Sequence, residues 1–230
     1  MKTLGLIGGM SWESTVPYYR VINQTVAQER GGLHSARLVL YSVDFAEIER
    51  LQHAGDWDAT AVLLADAGAR LAGAGAELLV LCTNTMHKVA PAVEAAAGVP
   101  LLHIADATAA EAAAQGVRRV GLLGTRFTME QAFYRERLGR GHGLDVLVPP
   151  EADRATVHSV IYDELCRGVV RDASRRAFRE VIGRLVERGA EAVVLGCTEL
   201  SMLVGPGDAA VPLLDTTEIH ARAAARAAMA

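Results

Sequence analysis

The chain has 230 residues, of which 51% are hydrophobic and 22% are charged, and its formal net charge at pH 7 is −4. This composition is typical of a globular protein that can bury a sizeable core, and it excludes extensive disorder. The acidic balance offers no electrostatic footprint for DNA or RNA, so we expect no nucleic-acid partner.

The first residues, Met1 to Gly8, lead directly into an apolar run and lack the charged, apolar and cleavable layout of a signal peptide. No apolar stretch reaches the roughly 18 residues that a membrane-spanning helix requires. The three cysteines, Cys82, Cys166 and Cys197, lie far apart without a C-x-x-C pair, which argues against a disulfide framework or a metal site. We expect a cytoplasmic protein with reduced thiols and no membrane association.

Strand-like and helix-like segments alternate along the first half of the chain. In chain order, the pattern predicts a strand over 4–7, a helix over 12–29, a strand over 37–43, helices over 44–51 and 56–72, and a strand ending at 83. Such alternation predicts an α/β fold with a parallel, doubly wound sheet flanked by helices. The series restarts near residue 108.

The second half of the chain repeats the first. Three blocks align in order, with offsets of 114, 116 and 112 residues: 75–85 on 189–199, 4–9 on 120–125, and 99–103 on 211–215. Near-constant offsets indicate a duplicated domain. We therefore predict two similar, flavodoxin-like α/β domains, 1–107 plus 215–230 and 108–214, with an active site in the cleft between them.

Each copy of the best-matched block is an apolar run that ends in polar residues, and ligands of open α/β sheets bind at the carboxyl ends of the strands. In this alignment Cys197 falls opposite Thr83, and the partner of Cys82 is Gly196. The repeat therefore predicts a site with one thiol. Because neighbouring strand residues point to opposite faces, Cys82 is expected to point into the packing.

Cys197 can be interpreted as a functional thiol or as a small core residue. We favour function, because the residue ends a strand, and a helix amino terminus there would lower the thiol pKa. At the other strand end, Thr83 and Asn84 offer polar groups, and a helix that starts near Thr85 offers free N–H groups to a carboxylate. For His87 we favour a surface position over a role as an acid.

These motifs carry a resemblance to a known family. Asn84-Thr85-Met86-His87 after a strand, paired with Gly196-Cys197-Thr198-Glu199, resembles the aspartate/glutamate racemases, and residues 8–15 and 103–106 extend the match from residue 4 to about 220. The resemblance implies a cofactor-independent enzyme in which a cysteine from each domain works on opposite faces of the substrate's α-carbon. It also implies L-aspartate or L-glutamate as the small-molecule substrate, and a homodimer.

One position departs from the family pattern, because Thr83 stands where the first cysteine belongs. The chain therefore resembles the L-aspartate/glutamate-specific subgroup, in which a threonine faces the remaining cysteine. A threonine hydroxyl does not ionise near neutral pH, so Cys197 is expected to serve the L-isomer and Thr83 to relay protons weakly. By resemblance, the residues that bind or act on the substrate are Met10, Gln52, Thr83, Asn84, Thr85, Cys197, Thr198 and Glu199.

Other functions stay open to different degrees. The two lysines, Lys2 and Lys88, occupy no convincing pyridoxal-phosphate site, and the first glycine turn lacks the G-x-G-x-x-G spacing of dinucleotide enzymes. A broad-specificity racemase, a hydantoin racemase, a maleate isomerase or an amino-acid-binding module remain alternatives. Arg50 is a candidate for the substrate's second carboxylate, whereas Cys166 replaces a lysine found in many family members.

Overall fold

A computed structural model describes residues 1–230, and the chain divides into two compact units. Unit 1 comprises Met1–Ile104 and His220–Ala230, and unit 2 comprises Ala105–Ile219. The boundaries expected from the sequence, 107/108 and 214/215, lie a few residues from these. None of the helices is both long enough and apolar enough to cross a membrane.

Unit 1 contains a four-stranded parallel sheet in the order β2-β1-β3-β4. Its elements are β1 (Leu4–Gly8), α1 (Trp12–Arg30), β2 (Leu38–Ser42), α2 (Phe45–Ala54), α3 (Trp57–Gly73), β3 (Leu78–Leu81), a 3₁₀ turn (Thr85–Val89), α4 (Ala90–Ala97) and β4 (Leu101–Leu102). The order matches the start of the flavodoxin-like arrangement, which places ligands at the carboxyl edge of the sheet.

Unit 2 repeats this plan with the order β6-β5-β7-β8, again all parallel. Its elements are α5 (Ile104–Ala114), β5 (Arg119–Gly124), α6 (Arg126–Glu130), α7 (Ala132–His142), β6 (Asp145–Leu147), α8 (Glu151–Asp163), α9 (Asp172–Glu187), β7 (Ala192–Gly196), α10 (Leu200–Leu203), β8 (Leu213–Asp215) and the start of α11 (Thr216–Met229), most of which belongs to unit 1. The predicted α/β fold with two similar parallel sheets is confirmed, and most of the predicted elements end within a few residues of their predicted bounds.

The central strands are apolar along their whole length because helices cover both of their faces. Every residue of β1, β3 and β7 is buried, as expected for parallel strands inside an α/β domain. In unit 1, α1 and the end of α11 pack in one apolar cluster with β1 and β3, whereas α2, α3 and α4 contribute to a second. In unit 2, α8 and α9 pack against β5 and β7.

The duplication extends to single hydrogen bonds at the amino ends of the strands. The Glu77 carboxylate accepts the Thr3 N–H at 2.7 Å, and its own N–H donates to the Thr3 carbonyl at 2.8 Å. The Glu191 carboxylate accepts the Arg119 N–H at 3.0 Å, and its N–H donates to the Arg119 carbonyl at 2.9 Å. Two glutamates therefore join equivalent strand pairs in the same way.

The register between the paired strands is also the same in both units. Ile7 lies opposite Leu81 in the first sheet, and Leu123 lies opposite Leu195 in the second. These pairs match each other in the sequence repeat. Thr83 and Cys197 each follow the matched leucine by two residues, so they occupy equivalent places, each within its own unit.

Candidate active site

The carboxyl end of β3 in unit 1 presents three of the predicted site residues in sequence. Thr83, Asn84 and Thr85 are 7%, 2% and 6% exposed. The Thr83 N–H donates to the Leu81 carbonyl at 2.8 Å, which turns the chain out of the strand immediately. The helical turn predicted near Thr85 begins there, as a 3₁₀ turn continued by α4. Hydroxyl and amide groups are thus placed at the sheet edge where α/β proteins bind ligands.

Met10 and Gln52 lie at the same edge of the unit 1 sheet. Met10 follows the carboxyl end of β1, and Gln52 lies on α2, the helix that follows β2. Met10 and Met86 belong to one apolar cluster, and the Gln52 Nε2 atom contacts the Met86 Sδ atom at 3.7 Å. Both predicted residues are therefore buried around Met86, the neighbour of Thr85 in the chain.

Cys82 is part of the hydrophobic core, as its strand position predicts. It is fully buried in the cluster formed with α1 and α11, and its N–H donates to the Ile7 carbonyl at 2.9 Å. Burial raises the pKa of the Cys82 thiol, since the interior disfavours the charged thiolate. The residue is a packing group in a protonated state.

His87 is buried, so the favoured surface position was wrong. It is 2% exposed, and both of its ring nitrogens contact backbone groups. On a regular helix, His87 would lie on the side that faces solvent. The short 3₁₀ turn instead directs the ring back beneath the strand end, where its Nδ1 atom lies 2.7 Å from the Thr83 carbonyl oxygen.

The carboxyl end of β7 in unit 2 presents a thiol beside a carboxylate. The Cys197 Sγ atom donates to the Glu199 Oε2 atom at 3.0 Å, and the Thr198 hydroxyl donates to the same oxygen at 2.8 Å. Cys197 is 8% exposed and Glu199 is 2% exposed. The preceding residue must be glycine, because a Cβ atom at Gly196 would lie 2.8 Å from the Leu123 carbonyl oxygen.

The environment of Cys197 opposes ionisation of the resting thiol. Burial and the adjacent Glu199 carboxylate raise the Cys197 pKa well above its ordinary value, and the Glu199 N–H acts weakly in the other direction. The sequence-based expectation of a lowered pKa is therefore wrong. The expected helix terminus is only the four-residue α10, and a negative charge lies beside the sulfur. The resting thiol is protonated and has a carboxylate as its hydrogen-bond acceptor.

A family model for Asp/Glu/hydantoin racemases matches residues 7–224, which is nearly the whole chain. The chain belongs to the Asp/Glu/hydantoin racemase family. The match spans both parallel sheets and both strand ends described above. The expected resemblance to aspartate/glutamate racemases is confirmed at the level of this family.

Three relatives of this racemase match it over 95% to 100% of its length. A candidate Asp/Glu racemase from Yersinia pestis is 58% identical over 100% of both chains, with a TM-score of 0.93. An aspartate racemase homologue from Pyrococcus horikoshii is 34% identical over 100% of both chains, with a TM-score of 0.84. The broad-specificity amino-acid racemase RacX of Bacillus subtilis is 22% identical over 95% of each chain.

Two further candidates fall outside these arrangements. Arg50 is exposed on α2, which favours its interpretation as a surface charge. Cys166 is half-buried against the core of unit 2 and lies near enough to Cys197 to affect its pKa. No group of three or more His, Cys, Asp or Glu residues is arranged to hold a metal ion.

The role of Glu199 in this racemase is clearer from the structure than from the sequence. From the sequence, Glu199 is predicted to bind substrate, whereas in the structure its carboxylate accepts hydrogen bonds from Cys197 and Thr198. The sequence feature that indicates this contact is a glutamate two residues after a cysteine. The contact between Glu199 and Cys197 cannot be predicted from this spacing alone, because it depends on the conformation of the chain after the strand end.

The raised pKa of Cys197 leads to a pH-dependent prediction. Alkylation of Cys197 by iodoacetamide should become fast only above the ordinary thiol range, near pH 8.5, because the thiolate is the reactive form. Glu199→Gln should move the midpoint to lower pH, since a neutral amide no longer repels the thiolate. Mass spectrometry can follow each thiol, because trypsin leaves Cys82, Cys166 and Cys197 in three different peptides.

A charge-matched control separates this local effect from a change in net charge. Glu187→Gln removes the same charge at an exposed position at the end of α9. This variant should leave the Cys197 midpoint where it is in the native protein. An unchanged or higher midpoint in Glu199→Gln would show that the carboxylate does not control the thiol.

Proposed function

We propose that the protein is a pyridoxal-phosphate-independent racemase of acidic amino acids, in which Cys197 exchanges the α-proton on the face presented by the L-isomer. The observation that carries this proposal is the 3.0 Å hydrogen bond from the Cys197 thiol to the Glu199 carboxylate. A protonated thiol cannot remove an α-proton. A carboxylate in contact with the thiol gives its proton a place to go and so helps the cysteine to act as a base.

The first half of the proposed reaction takes place at Cys197. Glu199 accepts the thiol proton, and the resulting thiolate removes the α-proton of the L-isomer, leaving a carbanion stabilised by the neighbouring carboxyl group. The positive charge of the substrate's ammonium group favours the thiolate while it is bound. Return of a proton from Cys197 regenerates the L-isomer, and it carries deuterium when the thiol has exchanged with heavy water.

The second half requires a proton on the opposite face, and we assign its delivery to Thr83. Its hydroxyl donates a proton to the carbanion while it takes one from a water molecule, so no free alkoxide has to form, and the hydroxide left behind is neutralised by the proton that Glu199 accepted and then releases to solvent. Because a hydroxyl is a far weaker acid than a thiol, this step is slow. The protein should therefore exchange the α-proton of the L-isomer faster than it forms the D-isomer.

The remaining predicted residues are assigned to substrate binding. Asn84 and Thr85 supply polar groups at the end of β3, and Thr198 supplies a hydroxyl beside the thiol. Met10 and Gln52 complete the set on unit 1. The burial of all five side chains supports this assignment, because polar contacts are strongest where water is excluded.

The acidic substrate class is supported by the aspartate-related names of two full-length relatives. The match to broad-specificity RacX supports a wider amino-acid range as the alternative. Cys166 also favours the alternative. The resemblance to the family leads us to expect a lysine at this position, and this chain lacks that positive charge.

Proton exchange in heavy water, followed by NMR, tests the proposal across substrates. L-aspartate and L-glutamate should lose their α-proton signals fastest among the common L- and D-amino acids. Equal rates across neutral amino acids would establish the broad-specificity alternative. Binding of glutamate or aspartate without exchange would indicate a binding protein, and cis–trans conversion of maleate without α-proton exchange would indicate a maleate isomerase.

A further inference from the structure

Three histidines lie together in the core of unit 1, close to the end of β3. The ring centroids of His87 and His103 are 4.4 Å apart, and those of His87 and His220 are 5.7 Å apart. All three side chains are buried. Their proximity is not predictable from the sequence, because they are separated by up to 133 positions in the chain.

The hydrogen bonds of His87 define its tautomer. The Ile104 N–H donates to the Nε2 atom at 3.2 Å, which assigns Nε2 as the unprotonated acceptor, although the Leu102 carbonyl also lies near the ring. The Nδ1 atom therefore carries the ring proton and donates it to the Thr83 carbonyl at 2.7 Å. Burial and the neighbouring histidines lower the His87 pKa well below its ordinary value, so the ring stays neutral.

His220 extends this network to the place where the chain returns to unit 1. Its Nε2 atom lies 2.9 Å from the Leu102 carbonyl oxygen, which can only accept, so Nε2 is the donor. The Nδ1 atom then accepts the Tyr18 hydroxyl proton at 2.9 Å. The network thus connects the end of β3 with Leu102 and Ile104, which lie at the end of the first segment of unit 1, and with His220, where the chain re-enters unit 1.

The consequence for Thr83 is that its backbone is held on both sides. Its N–H donates to the Leu81 carbonyl, and its own carbonyl accepts from His87. These two bonds restrict rotation about the Thr83 backbone, and the direction of the Cα–Cβ bond follows from the backbone. The direction in which the Thr83 side chain leaves the main chain therefore depends on His87, although the imidazole bonds only the main chain.

We propose that His87 is a positioning residue that aims the Thr83 hydroxyl for proton delivery to the face opposite Cys197. This inference rests on the proposed function. Proton transfer depends steeply on geometry, and a displacement of about 1 Å can cost about 100-fold in rate. Loss of the His87 bond should therefore slow the Thr83 half of the reaction and spare the Cys197 half.

Two replacements of His87 separate its two hydrogen bonds. Asparagine places an amide N–H near the position of Nδ1, so His87→Asn can keep the bond to the Thr83 carbonyl. Glutamine reaches the position of Nε2, so His87→Gln can keep the bond from Ile104 but loses the donor to Thr83. We expect His87→Gln to lower L-to-D conversion by about 10- to 100-fold, with deuterium exchange into the L-isomer near the native rate. His87→Asn should restore most of the conversion.

Tyr18→Phe serves as the matched control for general damage to the core of unit 1. It removes the hydroxyl bond to His220 and leaves His87 intact, so the ratio of conversion to exchange should stay native even when the melting temperature falls. A parallel loss of conversion and exchange in His87→Gln, with no recovery in His87→Asn, would overturn the positioning role.

The histidine tautomer can be measured without turnover. Nitrogen-15 NMR of the native protein should show His87 protonated at Nδ1 and not titrating near its ordinary pKa of about 6.5. A ring protonated at Nε2, or one that titrates normally, would overturn the proposal. Absence of exchange in the native protein would instead contradict the proposed function, and the NMR result would still decide whether His87 holds the Thr83 carbonyl.

Discussion

Replacement of Cys197 by alanine is expected to abolish deuterium uptake at the α-carbon of L-aspartate and L-glutamate. The thiol is the only group at the end of β7 that can become a strong base at that position, since Glu199 is already hydrogen-bonded to it and to Thr198. A positioned acid–base group contributes about 10²- to 10⁴-fold to a rate, so the loss should reach about two to four orders of magnitude. Proton NMR in heavy water measures it directly.

Cys82→Ala provides the control for removal of a thiol. Cys82 is buried in the core of unit 1 and contacts the backbone of its own strand, so this variant should lose stability but keep exchange per folded molecule. Cys197→Ser adds a second comparison, because it keeps the shape of the side chain but not the acidity. Exchange at the native rate in Cys197→Ala or Cys197→Ser would rule out the thiol as the base.

Replacement of Thr83 by cysteine is expected to raise α-proton exchange of the D-isomer by about 100-fold, the lower range for a positioned acid–base group. A thiol ionises within reach of neutral pH and a hydroxyl does not. Thr83 and Cys197 occupy equivalent places in the two sheet registers, so the new sulfur should take the orientation that Cys197 has in its own unit. Exchange rates of D-aspartate and D-glutamate in heavy water give the result.

Thr83→Ser tests whether the effect comes from the thiol. Serine keeps the hydroxyl and removes only a methyl group, so D-isomer exchange should stay near the native level. A gain in Thr83→Ser as large as that in Thr83→Cys would mean that space, and not acidity, limits the reaction. No gain in either variant would contradict the assignment of Thr83 to the face opposite Cys197.

The parts of the structure that were predicted correctly depend on local pattern and repetition. The buried strands, the parallel sheets and the equivalence of Thr83 and Cys197 follow from apolar runs at nearly constant offsets. These features are readable because burial on both faces of a strand leaves a continuous apolar signature in the sequence.

The parts that were missed depend on contacts between distant residues or on a chain turn too short to predict. The burial of His87 required knowledge of Ile104 and of a 3₁₀ turn, and the high pKa of Cys197 required the position of one carboxylate. A sequence shows which groups can ionise. It does not show which of them meet in a place that water does not reach.

The matched hydrogen bonds of Glu77 and Glu191 bear on how such a protein can change over time. They lie at the amino ends of the strands, whereas the two halves differ in chemistry at the carboxyl ends. Mutations that alter the reaction can therefore accumulate at one edge of each sheet while the opposite edge keeps the strands in register. The same separation allows an engineer to exchange acid–base groups without redesigning the scaffold.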